Sequence, residues 1–269
     1  MKKGICFFDI DGTLLDNRTD AVPDSALKAL EALREHYYIV ISTGRDMDTH
    51  YSRRYRDIVR PDAVIHLNGC KISVGEELIF HHHMDEALLE EIYAFSMESG
   101  ICFGTTIGEN DYYTVPEKKQ KADRFYSKPI RRNFRPFEEL ITEHIPVTAL
   151  SYAGDFPAEY PLIRQRFPQL ELYTFNKGAA ADVVEENFSK AEGMKRICSY
   201  YRIPIENTYA FGDSPNDIHI LQEAGTGIAM GNGDEEIKAA ADYVTDPIDR
   251  DGIYNACVRL GLIRAEQQK

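Results

Sequence analysis

The stretch Ile5-Cys6-Phe7-Phe8-Asp9-Ile10-Asp11-Gly12-Thr13 constrains this chain more than any other. Four apolar residues bounded by Gly4 and Gly12 read as a buried strand, and the run stops abruptly in two aspartates one residue apart. The period of two puts Asp9 and Asp11 on one side, aimed beyond the carboxyl end of a sheet. That end is where ligands bind in open α/β sheets. Ionised carboxylates at the end of a buried strand are costly unless a cation compensates them. A strand end running into an Asx-type turn would account for the motif alone. The rest of the chain has to supply partners before it reads as a site.

The pattern that follows predicts a parallel, doubly wound sheet. After a first strand at 4–9, a helix opens at Pro23-Asp24-Ser25 with Ala26, Leu27, Leu30 and Leu33 on one face. Tyr38–Ile41 is a second strand, 46–59 a helical stretch and Asp62–Leu67 a third strand stopped by Asn68-Gly69. Lys71–Val74 and Glu77–Phe80 read as a small hairpin across Gly75-Glu76. From about residue 82 the character changes. An amphipathic helix over 85–99 stops at Gly100. Strand-like runs follow at 101–107, 111–115, 146–153 and 170–175, with a short helix near 159–167, suggesting an antiparallel sheet covered by helices on one face. After residue 187 the α/β pattern resumes, through helix 190–201, strand 208–211, helix 217–224, strand 227–230, helix 234–241, strand 243–244 and a last helix near 252–260. The parse is an α/β core, Rossmann-like, with an inserted α+β domain: 1–81 and 188–269 form the core and 82–187 the insertion.

Composition narrows the function classes. A net charge of -13 argues against a general nucleic-acid binder, which needs a basic face to neutralise phosphates. No basic-plus-apolar leader and no 18-residue apolar run is present, so neither a secretory signal nor a membrane partner is expected. Cys6, Cys70, Cys102, Cys198 and Cys257 are scattered, odd in number and without CxxC spacing, as small core residues in a reducing compartment would be. The expected location is cytoplasmic.

Three core strands end in polar signatures: Asp9/Asp11, Thr43-Gly44-Arg45 and Gly212-Asp213-Ser214-Pro215-Asn216-Asp217. A fourth group, Ser189-Lys190, stands where the chain re-enters the core and starts a helix. If these ends converge, the site holds four carboxylates, one lysine, one hydroxyl and several turn amides. Carboxylates at that density need a hard divalent cation, and Mg²⁺ suits them because it takes oxygen ligands and pairs with phosphate. Thr43, the Gly44 amide and the Lys190 ammonium are suited to phosphate oxygens, which leaves a carboxylate free to attack phosphorus.

These residues resemble the haloacid dehalogenase superfamily of phosphatases, in its Cof-like branch (subfamily IIB). The four signatures read DIDGT, STGR, SKAEG and GDSPND, in that family's order. The closing stretch Ala229-Met230-Gly231-Asn232 to Asp242-Tyr243-Val244-Thr245, then Asp251-Gly252-Ile253, is similar too, as is Leu67-Asn68-Gly69. The resemblance covers both core segments; the insertion matches in position, length and general character. Two positions depart: Ala191 follows Lys190 where many relatives have glycine, and Gly233 follows Asn232 where alanine is commoner.

The resemblance implies a Mg²⁺-dependent phosphomonoesterase. Asp9 resembles the nucleophile that becomes an aspartyl-phosphate, and it also binds the metal. Asp11 resembles the acid/base for the leaving alcohol and the attacking water, with its carbonyl on the metal. Ile10 is implied to give a backbone amide to the phosphate. Thr43 and Gly44 match the second phosphate-binding group, and Lys190 the neutralising cation. Asp213 matches the main metal ligand, Asn216 a phosphate-side contact and Asp217 a carboxylate that orients the metal shell. The physics agrees: a carboxylate attacking a phosphate dianion meets like-charge repulsion that a cation must screen.

Elsewhere the bland readings compete. Arg45 reads as holding a carboxylate within the core, and Asp16 as a turn residue. His81-His82-His83 reads as an exposed linker, against a metal site. Residues 118–135 carry Lys118, Lys119, Lys121, Arg124, Lys128, Arg131, Arg132 and Arg135 against Asp123 alone, either a solvated helix face or a patch that steers anions. The insertion follows the third strand, where it would close over the strand ends and favour small phosphorylated metabolites; no obligate protein partner is evident. A phosphotransferase or phosphomutase of the same superfamily, and a non-catalytic phosphate-sensing protein, are the alternative readings.

Overall fold

The structure, a computed structural model, describes residues 2–125, 132–175 and 178–265. Its strands run β1 (Gly4–Phe8), β2 (Tyr37–Ser42), β3 (Ala63–His66), β4 (Lys71–Val74), β5 (Glu77–His81), β6 (Cys102–Ile107), β7 (Asn110–Tyr113), β8 (Phe134–Pro136), β9 (Leu150–Ala153), β10 (Leu170–Phe175), β11 (Ala180–Glu185), β12 (Thr208–Gly212), β13 (Thr226–Ala229) and β14 (Tyr243–Val244). The chain forms two compact units. One is Met1–Met47 with Arg54–Phe80 and Ser189–Lys269; the other is Asp48–Arg53 with His81–Phe188.

The first unit holds an eight-stranded sheet in the order β14-β13-β12-β1-β2-β3-β4-β5. From β14 to β3 the neighbours are parallel, and β4 turns back antiparallel on β3. The two faces of β1 explain its unbroken apolar run. Cys6 and Phe8 enter one core with Ala26, Ala29, Leu30 and Leu33 of the helix Asp24–Leu33 and with Ile253, Ala256 and Cys257. Ile5 and Phe7 enter another with Met194 and Ile197 of the helix Lys190–Tyr201 and with Ile220 and Leu221. A strand covered on both sides has no polar face to alternate with. Phe8 stacks on Phe211 of β12, ring centres 4.7 Å apart, so the two halves of the sequence meet at the centre of the sheet. Burying each such side chain stabilises the fold by about 1.5–3 kcal/mol. All five cysteines are buried and none is in a disulfide.

The expected helix over 46–59 is shorter, Arg53–Val59. The residues before it are committed to the end of β3: the Met47 amide donates to His66 Nδ1 at 3.0 Å, and the Arg45 carbonyl accepts from the Leu67 amide at 3.2 Å. A helix capped at Arg45 would need that carbonyl for its own first hydrogen bond.

The second unit is α+β. Its sheet runs β10-β11-β9-β6-β7-β8 and is antiparallel except for the parallel pair β7 and β8. The helix Glu86–Ser99 starts at Asp85, whose carboxylate accepts from the Ala87 and Leu88 amides at 2.9 and 3.3 Å. It ends at Gly100, left-handed with φ 72°. Ile92, Ile101, Phe103, Tyr152 and Phe167 lie in its core. Of the basic run, Lys118 pairs with Glu159, Lys119 and Arg132 with Asp123, Arg132 also with Asp111, and Arg135 with Glu139. These pairings favour structural charge balance over anion steering; Lys128 and Arg131 lie outside the described residues. In the histidine run, His81 ends β5 and binds Thr148 at 2.7 Å, while His82 pairs with Glu185 and stacks on Phe188 at 4.3 Å. No described helix is long and apolar enough to cross a membrane.

Candidate active site

Parallel strands release their chains at one edge, and β1, β2 and β12 do so side by side. The Asp9 amide donates to the Phe211 carbonyl at 3.0 Å, continuing the ladder by one residue beyond β1. The chain then turns at Gly12, whose φ is +83°. A Cβ there would stand 2.1 Å from Asp213 Oδ2, so glycine is what lets this loop lie against the Asp213 carboxylate. Thr13 Oγ1 donates to Asp213 Oδ1 at 2.8 Å from the same loop. Asn232 Nδ2 donates to the Gly12 carbonyl at 2.8 Å while its Oδ1 accepts from the Ile248 amide at 2.8 Å. Sequence reasoning assigned no role to Thr13 or Asn232; the matching closing stretch was the only signal for Asn232.

Lys190 is the first residue of its helix, where Ser189 accepts from the Glu192 amide at 3.2 Å. Its side chain is fully buried and its ammonium donates to Asp9 Oδ1 at 2.7 Å and to Asp217 Oδ1 at 2.6 Å. The alanine after it leaves its reach intact. The other Asp217 oxygen accepts from the amides of Asp213 and Ser214, at 3.1 and 3.2 Å, and from the Ser214 hydroxyl at 3.3 Å. Gly212 is required beneath this carboxylate, because a Cβ there would come within 2.4 Å of Asp217 Cγ. Asp217 therefore fixes the loop that carries Asp213 and also holds the lysine.

Carboxylate oxygens of Asp9, Asp213 and Asp217 all lie within 4.8 Å of one another. Burial pushes the Asp9 carboxyl up, to about 7; the neighbouring Asp217 and Asp11 charges add to the rise and Lys190 opposes it. Asp213 is pushed well above the usual carboxylate range by burial and by Asp9 and Asp217. Burial alone would depress Lys190, but the combined pull of Asp217 and Asp9 raises it. Three carboxyls share one ammonium, more acid than the lysine alone can neutralise once they ionise. An all-oxygen donor set of this kind fits a hard divalent cation.

Asp11 lies outside that cluster. Arg45 Nε and Nη2 grip its two oxygens, each at 2.6 Å, and the guanidinium lies 5.6 Å from the centre of the Tyr55 ring. The carboxylate that Arg45 holds is thus the predicted acid/base. Thr43, buried, accepts from the Arg45 amide through Oγ1 at 3.1 Å, and Gly44 lies between them. The Ile10 side chain is fully buried in the core, which leaves its backbone for any ligand contact. Asn216 Nδ2 donates to Asn68 Oδ1 at 3.0 Å, and its Oδ1 accepts from the Ser214 hydroxyl at 2.8 Å. Asp16 holds a turn, accepting from the Arg18 amide at 3.0 Å.

The sequence model of one family, described as haloacid dehalogenase-like hydrolase, matches residues 6–257. Phosphatase YwpJ of Bacillus subtilis is 29% identical over 281 residues, covering 91% of this chain and 95% of its own. Among solved structures, the HAD subclass IIB sugar phosphatase BT4131 superposes with a TM-score of 0.86 at 31% identity, over 97% of this chain and 100% of that one. BT1666 from Bacteroides thetaiotaomicron gives 0.86 at 29% identity, over 97% and 96%.

Proposed function

Since the chain belongs to the haloacid dehalogenase-like hydrolases, we propose that it hydrolyses small phosphate monoesters, sugar phosphates foremost, through a phosphorylated Asp9. The observation that carries this reading is the buried Lys190 bridging Asp9 and Asp217 beside Asp213. Likeness to a structure described as a sugar phosphatase supports the substrate class.

In this reading an Asp9 oxygen forms a bond to phosphorus as the ester P–O bond breaks. Asp11, protonated for this step and so released from one of its two Arg45 hydrogen bonds, gives its proton to the departing alkoxide. A water then attacks the phosphorus, Asp11 takes its proton back, and Asp9 leaves with its own oxygens restored and inorganic phosphate released. Lys190 holds Asp9 in register and offsets the charge repulsion between the carboxylate and the phosphoryl oxygens. Thr43, the Gly44 and Ile10 amides and Asn216 bind the non-reacting oxygens. Asp9, Asp213 and Asp217, with the Asp11 carbonyl, would hold Mg²⁺, which when bound supplies charge neutralisation and Lewis acidity at the phosphate.

Release of phosphate from p-nitrophenyl phosphate tests the reading. Multiple turnover with Mg²⁺, loss in EDTA and loss in Asp9→Asn are expected; full turnover by Asp9→Asn would overturn the mechanism. A panel of phosphorylated sugars then ranks substrates by kcat/KM.

A further inference from the structure

The turn after β3 has an unusual backbone. Leu67, Asn68 and Gly69 have successive φ values of 49°, 51° and 100°. Asparagine and glycine tolerate the left-handed region, but a leucine there is strained. Strain of this kind persists where the surroundings over-determine it. What surrounds this turn is the set of loops assigned above to the phosphate.

The Leu67 and Asn68 amides donate to the carbonyls of Arg45 and Thr43, at 3.2 and 3.0 Å. The buried Asn68 side chain accepts from Asn216 Nδ2 at 3.0 Å, across 148 positions of sequence. Gly69 lies so close to the residue before Lys190 that a Cβ would meet the Ser189 carbonyl oxygen at 2.3 Å. Three residues therefore touch the Thr43 loop, the start of the Lys190 helix and the Asn216 loop. Those loops come from three separate parts of the chain. The left-handed run is the geometry that lets one turn present two amides, one carboxamide and one bare Cα to three neighbours.

We infer that Leu67-Asn68-Gly69 sets the spacing of the three phosphate-side loops, with Asn68 the positioning residue that orients Asn216. This rests on the reading of Thr43, Lys190 and Asn216 as phosphate ligands. Asn68 need not touch substrate; it acts through Asn216 by accepting its amide hydrogen.

The test is a double-mutant cycle on p-nitrophenyl phosphate hydrolysis and on competitive inhibition by inorganic phosphate. Asn68→Gly keeps a residue suited to the left-handed backbone but removes the acceptor. It is expected to raise KM and the phosphate inhibition constant about tenfold, with a smaller effect on kcat, as loss of one buried hydrogen-bond partner predicts. Asn216→Ala should do the same, and the double variant should be no worse than the worse single one. Asn68→Ser keeps a neutral oxygen acceptor, so its KM should rise less than that of Asn68→Gly. That variant keeps the test decisive if the glycine variant does not fold. A purely structural Asn68 would lower thermal stability and the active fraction without moving KM. Unchanged KM in Asn68→Gly, additive losses in the cycle, or an Asn68→Ser as impaired as the glycine variant would each overturn the inference. Full activity in Asp9→Asn would instead remove the site reading beneath it.

Discussion

Arg45 and Asp11 form a two-point ion pair, with both guanidinium-to-carboxylate distances at 2.6 Å, although 34 positions separate them in the chain. The pair is partly exposed, with side chains 27% and 37% accessible, so its worth to stability is small. Its value is orientation. A forked guanidinium fixes the plane of a carboxylate in a way that a lysine cannot.

Arg45→Lys should therefore cost more activity than stability. We expect kcat on an alkyl phosphate to fall about tenfold or more, within the range that a displaced general acid loses, with little change in melting temperature. Asp11→Asn gives a sharper signature. p-Nitrophenolate leaves without a proton, so the first step survives while the second stalls. Rapid mixing should show a burst of one nitrophenolate per enzyme, and mass spectrometry a protein heavier by one phosphoryl group. A linear time course without a burst counts against the assignment of Asp11.

Lys190→Met leaves Asp9, Asp213 and Asp217 without their ammonium. Removing one partner from a buried, paired set costs about 3–5 kcal/mol, and urea unfolding in EDTA should show a loss of that size. Mg²⁺ should restore part of it. Asp217→Asn should destabilise less, because an amide oxygen can still accept from the Asp213 and Ser214 amides.

The raised Asp9 and Asp213 carboxyls set a pH dependence with a definite sign. Groups titrating higher in the folded state than in the unfolded one contribute stability that is complete below their unfolded values, near 3.8 for an aspartate. That contribution is lost as pH rises through the folded value, about 7 for Asp9. Metal-free protein should thus lose this contribution between these limits. Divalent ions bind the ionised form, so Mg²⁺ affinity should climb by up to about tenfold per pH unit for each proton displaced. Thermal unfolding with Mg²⁺ or EDTA at pH 5, 6.5 and 8 checks this; a stabilisation by Mg²⁺ that is the same at all three contradicts it.

Gly12→Ala drives a methyl group onto Asp213 Oδ2 and forces a φ of +83° on alanine. Isothermal titration should show Mg²⁺ binding weakened by about an order of magnitude or more, on the scale of a misdirected metal ligand. The fold should survive, because the turn lies at the strand end and not in the core.

The core was legible because its strands are buried on both faces and end in polar signatures, a contrast that survives in one dimension. The carboxylate cluster was legible for the same reason: Asp9, Asp213 and Asp217 interrupt apolar runs. What stayed hidden depends on partners far along the chain. Ala180–Glu185 is a strand between β10 and β9, but its six residues include Asp182 and two alanines, residue types depleted in strands. Residues 46–52 have helical periodicity, yet the Arg45 carbonyl that would open a helix there is taken by the Leu67 amide, and the Met47 amide by His66. Arg45 was read as holding some carboxylate, and only three dimensions say which. Asn68 looked like a strand stop, and nothing in its neighbours points to Asn216.

The pairing of β1 with β12 aligns Ile5 with Thr208 at the centre of the sheet. On a ribosome, the first apolar strand must wait for some two hundred further residues before its second neighbour exists. At synthesis rates of about 5–20 residues per second that is on the order of 10–40 s. For that interval β1 can be bordered by β2, but its other edge presents unpaired backbone N–H and C=O groups, the kind of edge that recruits other chains. The arrangement that brings Asp9 and Asp213 together thus leaves one edge of β1 open until β12 is made, and chains terminated before β12 should aggregate where a full-length chain would fold.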